Sequence, residues 1–179
     1  MDDQTPVFAD AGPLIVLGRA GYLWLLRDLF GQVHITPIVK DEVLPGENRP
    51  GELAIEKAVV DGYIIPVSAD PPEVLALPSN LHAGERSTIE AGLAIPEALL
   101  LLDDLDARKC AAAHGLEHMG SIALMVLAKN ARHVPNVAGI LESAIDHGLY
   151  IAPSLVKEVL AKAGESVPST LATKLRQRR

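Results

Sequence analysis

The sequence predicts an α/β fold built on a mainly parallel sheet, and three observations predict it. Short apolar runs (Val7–Ala9, Val33–Ile35, Tyr63–Val67 and Ala98–Leu102) alternate with longer stretches of helical periodicity. The run Ala98–Leu102 is apolar at every position, as a strand buried on both faces requires. Hydrophobic residues make up 49% of the chain but aromatics only 3%, so the core is aliphatic. The length of 179 residues is one domain's worth, within the typical ~100–200. A chain of this size buries close to ~70% of its unfolded surface and needs no disulfide to hold a core. The single cysteine, Cys110, excludes an internal disulfide and fits a reducing compartment.

The elements follow in order. Val7-Phe8-Ala9 is a buried strand that stops at Asp10. Pro13 to Phe30 reads as helix interrupted near Gly18–Gly21, with Leu14, Leu17, Leu25, Leu26 and Leu29 at helical spacing. Val33–Ile35 is the second strand. Thr36-Pro37 then starts a helix, because Thr caps and Pro at the first helical position sacrifices no hydrogen bond. Glu52–Val60 is a helix stopped by Asp61-Gly62, and Tyr63–Val67 is the third strand. The stretch from Asp70 to Asn80 holds three prolines and reads as loop. His82–Ala94 is helix ended by Pro96, and Ala98–Leu102 is the fourth strand. Leu105–His114 is helix with Gly115 as its stop. Glu117–Met119 is a short edge strand. Helices follow over Ser121–Asn130, Val137–Asp146 and Ser154–Ala163. The basic tail, residues 166–179 and ending KLRQRR, reads as loosely held, so the domain runs over residues 5–165.

The formal charge is −7, from 16 basic and 23 acidic residues. That excludes a nonspecific nucleic-acid coat, which is basic. It does not exclude a nuclease, since carboxylates that gather a divalent cation make a chain acidic by themselves. The acidic start lacks the regions of a signal peptide, and no apolar run reaches the ~18 residues of a membrane span. The chain therefore reads as a cytoplasmic protein without a membrane partner.

Parallel sheets bind ligands outside the carboxyl ends of their strands. Asp10 ends the first strand and Asp103-Asp104 the fourth. Glu42 lies in the helix after the second strand, and Glu85 opens the helix before the fourth. Taken singly, an Asp after a strand is usually a turn or cap residue, and a Glu in a first turn usually complements the helix dipole. Taken together, converging carboxylates repel one another and are costly without a cation among them. Oxygen donors without Cys or His suit Mg²⁺ or Mn²⁺ rather than Zn²⁺.

At these segments the chain resembles the PIN domain family, and more narrowly a prokaryotic PIN-like branch of uncharacterised function. VFADAGPLIVL resembles the strand ending in the family's first acid, which places it at Asp10. ITPIVKDEV places the second acid at Glu42. LHAGERSTIEAGLA resembles the branch's Gly-Glu helix start, with the third acid at Glu85, where many PIN domains have Asp. LLLDDLDARKCAAAHGL carries the fourth acid, assigned to Asp104 with Asp103 as the competing choice; Asp106 is a supporting metal residue. The resemblance covers roughly Val7–Glu165, including the C-terminal helices. It implies a three-layer α/β/α sandwich with a five-stranded parallel sheet in the order 3-2-1-4-5. It also implies cleavage of RNA phosphodiesters with one or two Mg²⁺ or Mn²⁺ ions. Many small prokaryotic members are toxins of type II toxin–antitoxin pairs, inhibited by a small antitoxin protein, and many are homodimers. This branch is longer, has extra helices and carries Glu at the third acid.

Ser121, after the fifth strand, is where PIN proteins often place a Ser or Thr near the site; its plain reading is an N-cap. Arg86 and Arg108 neighbour the acid-bearing segments and are candidate contacts for RNA. Aromatic stacking platforms are nearly absent. The rival readings are a catalytically weak PIN-fold binding or assembly module and a phosphatase-like α/β enzyme. The latter needs a second Asp two residues after Asp10, where the chain has Gly12.

Overall fold

The structure, a computed structural model, describes residues 5–74, 77–95, 97–148 and 151–177. Five strands, β1 (Val7–Ala9), β2 (Val33–Ile35), β3 (Ile64–Pro66), β4 (Leu99–Leu101) and β5 (Glu117–Met119), pair in parallel. Their order is 3-2-1-4-5, as the resemblance implies. Between and after them run α1 (Ala11–Ala20), α2 (Leu25–Phe30), α3 (Pro37–Val43), α4 (Glu52–Val60), α5 (Ala83–Ala94), α6 (Leu105–Ala113), α7 (Ser121–Asn130), α8 (Val137–Asp146), α9 (Pro153–Lys162) and α10 (Ser169–Gln177).

Alternation along the strands builds two cores. Val7, Ala9, Val33, Ile35, Ile64 and Leu101 point into the larger one, with side chains of α1–α4 and α7–α10. Phe8, Leu100 and Leu102 point the other way, against Ile89 of α5 and Ala107, Cys110 and Ala111 of α6. The sheet is thus sandwiched between helical layers. Among the described residues no helix is long and apolar enough to cross a membrane.

Several boundaries differ from the sequence reading, for local reasons. The first helix starts at Ala11, two residues earlier, because Asp10 already has the extended backbone of an N-cap and Pro13 falls in the tolerant first turn. It breaks after Ala20, where Gly21 takes a φ of +77° that ends the helix. The third and fourth strands are shorter than their apolar runs, Ile64–Pro66 and Leu99–Leu101. Pro96, read as a helix stop, and the last two arginines of the tail lie outside the described residues.

The expectation of a loose tail is corrected. Residues Ser169–Gln177 form α10, whose Leu171 is fully buried in the larger core. Lys174 Nζ reaches Asp146 at 2.5 Å, and Thr170 Oγ1 donates to Glu142. Lys174 and Arg176 lie on the outer side of an amphipathic helix whose inner positions are Leu171 and Leu175.

Candidate active site

In this strand order the chain leaves β1 toward one side of the sheet and β4 toward the other, so a crevice opens beyond their carboxyl ends. Asp10 is the first residue past β1. Its N–H donates to Leu101 O at 3.0 Å, which fixes its backbone against β4. Its side chain is buried, with 7% of the residue exposed.

Two glycines give its surroundings. A Cβ on Gly12 would stand 3.6 Å from Asp103 Oδ2 and 3.8 Å from Asp10 Oδ2. A Cβ on Gly84 would stand 2.6 Å from Glu42 Oε2 and 2.8 Å from Asp10 Oδ1. Asp10 therefore lies between two other carboxylates, with one oxygen turned toward Glu42 and the other toward Asp103.

The elements that bring Glu42 here are tied together by hydroxyls. Thr36 Oγ1 accepts from Val39 N at 3.2 Å, capping α3, and shares a 2.7 Å hydrogen bond with Ser87 Oγ of α5. Ser87 Oγ also donates to Gly84 O at 2.9 Å. The Gly84 N–H then donates to Glu42 Oε1 at 3.2 Å. Glu85 is buried beside them and closes the first turn of α5. Its Oε2 accepts from His82 N at 2.9 Å, and its Oε1 lies 3.4 Å from His82 Nδ1.

The Asp103-Asp104 pair divides. Asp104 is exposed and caps α6, its Oδ1 accepting from Asp106 N at 2.8 Å and Ala107 N at 2.9 Å. Asp103 turns back into the crevice, where its Oδ1 accepts from Ser121 N at 2.7 Å. The structure thus brings Asp103 beside Asp10 and uses Asp104, the acid assigned from the sequence, as a helix cap. The two residues look alike in the written chain, but an N-cap must direct its side chain at its own helix while its predecessor is free to turn inward.

Asp106 is exposed and engaged by Asn80 Nδ2 at 3.2 Å and Lys109 Nζ at 3.1 Å. Arg86 donates to the carbonyls of Val74, Leu77 and Pro78, so it holds the proline-rich loop. Arg108 stays at the crevice, its Nη1 on the carbonyls of Leu102 and Asp103. Ser121 is buried against Asp103. Asp103, Arg108 and Ser121 also line a cavity of about 600 Å³ whose remaining walls, including Met119, Ile122, Met125 and Leu155, are mostly apolar.

Electrostatics mark Asp10 out. Burial, with the charges of Glu42 and Glu85 adding to it, pushes its carboxyl up to about 6; the N–H groups of Ala11 and Gly12 pull back. Burial also raises Asp103, against the opposing pull of Ser121 and Arg108. Asp104 is held below the usual carboxylate range, chiefly by the Ala107 N–H. Asp10 and Asp103 thus both carry carboxyls raised by burial in the crevice. Among the described residues no three His, Cys, Asp or Glu side chains close into a ready-made metal cage. The arrangement is two carboxylate pairs, Asp10 with Glu42 and Asp10 with Asp103, sharing Asp10.

The sequence profile of the PIN domain matches residues 6–165. The chain belongs to the PIN domain family. Its sheet order is that of a PIN domain, a family generally of nucleases. No curated protein and no solved structure matches this PIN domain significantly.

Sequence reasoning missed the glycines of this PIN domain as parts of its site, and the Thr36–Ser87 link as well. A signal for Gly84 existed, since Gly in a helix costs ~1 kcal/mol relative to Ala and so hints at a close approach. Nothing in the written chain pairs Thr36 with Ser87.

Proposed function

We propose that the chain is a metal-dependent ribonuclease that hydrolyses phosphodiester bonds. Its carboxylate set is Asp10, Glu42 and Asp103, with Glu85 behind them. The observation that supports this most is Asp10, a buried carboxylate set between two others, whose charge is disfavoured by burial and by Glu42 and Glu85 and favoured by the N–H groups of Ala11 and Gly12. Such a group is unfavourable to folding and points to a cation as its working partner.

The donors fit a hard divalent ion. They are all carboxylate oxygens, and two of them, Asp10 Oδ1 and Glu42 Oε2, converge over the bare Cα of Gly84. Asp10 and Glu42, with Asp103 on the second side, would hold Mg²⁺ or Mn²⁺. Such an ion supplies a lowered pKa for bound water and charge stabilisation on the phosphoryl oxygens.

The chain's own groups do the positioning. Ser121 N–H aims Asp103 inward, and Gly84 N–H aims Glu42. Glu85, bonded to His82, fixes the first turn of α5 from which Gly84 acts and adds negative charge beside Asp10. Arg108, on the carbonyls of Leu102 and Asp103, brings positive charge to the crevice rim, where a phosphate of the substrate is to be met.

One observation favours a second reading, a catalytically weak PIN-fold binding module: among the described residues, three donors do not already converge on one point. A cleavage assay on labelled RNA decides between them. The ribonuclease cuts with Mn²⁺ or Mg²⁺, stops in EDTA, and loses the activity on Asp10→Asn. The binding module neither cuts nor binds Mn²⁺ in calorimetry.

A further inference from the structure

Two glycines flank Asp10, and they are packed unequally. Over Gly12, Asp103 Oδ2 and Asp10 Oδ2 stand 3.6 and 3.8 Å from the place a Cβ would occupy, with Asp103 Cβ closer still at 3.3 Å. Over Gly84, Glu42 Oε2 and Asp10 Oδ1 stand 2.6 and 2.8 Å from that place, so both carboxylates pack directly on its bare Cα. Real Cβ atoms essentially never approach other atoms under 3.0 Å, so any side chain at position 84 would displace Glu42, Asp10 or both. Asp10 is buried and held through its backbone to β4. Glu42 is also held, because the Gly84 N–H donates to its other oxygen. The Thr36–Ser87 hydroxyl bond and the Ser87–Gly84 bond prevent α3 and α5 from simply parting.

We infer that Gly84 is a positioning residue of the site: its missing side chain lets the carboxylates of Asp10 and Glu42 pack together against the start of α5, as the pair that holds the divalent cation, and its N–H keeps Glu42 there. This rests on the metal-dependent reading above. It goes beyond the four acids because it assigns the ion to one side of Asp10 and makes a residue without a side chain a requirement for holding it.

The test is Gly84→Ala with Mn²⁺ affinity as the readout, measured by calorimetry or by the free-ion electron paramagnetic resonance signal. Ala is a better helix former than Gly, so helix propensity alone would favour the variant. The expected result is an affinity at least ~10-fold weaker, a difference of ~1.4 kcal/mol, in a variant that still melts cooperatively in EDTA. Gly92→Ala, on the same helix, serves as control. A Cβ there meets only Leu100 side-chain carbons, at 3.0–3.3 Å, so it is expected to lower stability and leave Mn²⁺ affinity unchanged.

If Gly84→Ala does not fold, the parent chain still decides the matter by NMR. Substoichiometric Mn²⁺ is expected to broaden the Gly84 amide before the Ser121 amide, which lies on the Asp103 side. Parent-like Mn²⁺ affinity in folded Gly84→Ala, or broadening that reaches Ser121 first, overturns the inference and leaves the ribonuclease reading standing. A parent chain that binds no Mn²⁺ at all overturns both.

Discussion

At the scale of single residues, neighbours in sequence divide the labour. Asp103 and Asp104 are chemically identical and adjacent, yet one faces Ser121 and Asp10 while the other caps α6. Asp103→Asn is therefore expected to abolish metal-dependent RNA cleavage with the fold intact. Asp104→Ala is expected to keep cleavage and lose ~1 kcal/mol of stability, the usual cost of an N-cap. Urea melts and a cleavage assay on both variants check this, and the opposite pattern would return the role to Asp104.

Asp10 carries a pH signature of its own. Its folded-state carboxyl titrates at about 6, above the ordinary 3.8. Between those values the native chain holds a proton that the unfolded chain has released. The stability it contributes is therefore full below about pH 4 and is lost as the pH rises through 6. The amount is on the order of 3 kcal/mol. In EDTA, Asp10→Asn is expected to be more stable than the parent at pH 7.5, with the gap closing toward pH 4. Equal stability of the two chains across that range would show that Asp10 is not strained.

At the scale of elements, Glu165 and Leu171 are two of the groups that fasten the C-terminal helices. Glu165 accepts from Val137 N at 2.7 Å and Ala138 N at 3.0 Å at the start of α8, and Lys129 Nζ lies 2.9 Å away. Burial alone would raise its carboxyl, but Lys129 and the two N–H groups outweigh burial and hold it below the usual range. Its stabilisation is thus present at neutral pH and is lost as the pH falls through that depressed value. Glu165→Gln is expected to cost ~1–3 kcal/mol, as the loss of charged hydrogen bonds does. Leu171→Ala, one helix later, is expected to cost ~2–5 kcal/mol, the range for a buried Leu. Denaturant melts measure both; a neutral Leu171→Ala would mean that α10 is not docked in solution.

At the scale of the whole molecule, the site sits where two oppositely wound halves of the sheet meet, and its acids come from the β1–α1 turn, α3, α5 and the β4–α6 turn. Under the proposed function such convergence would give the folded state alone an affinity for a divalent ion. Mn²⁺ at 100 times its dissociation constant then stabilises the fold by ~2.7 kcal/mol, or ~5–10 °C in melting temperature for a chain of this size. Asp10→Asn is expected to lose that shift while melting no lower than the parent in EDTA. A thermal-shift series in Mn²⁺ reads both, and an equal shift in the variant would move the ion away from Asp10.

The written chain by itself determined the class of this protein and most of its elements. Apolar runs and caps are local signals, and local signals such as Thr36-Pro37 and the buried run before Asp103 need only their own neighbours to be read. It also determined that Asp10, Glu42 and Glu85 belong to segments meeting at one edge, because parallel winding sends every strand's carboxyl end the same way. Tertiary structure alone decided which of Asp103 and Asp104 turns inward, that the basic tail hides Leu171 in the core, and that Gly84 stands between two carboxylates. Those are questions of direction and of empty space between segments far apart in the chain, and residue identity and spacing carry neither.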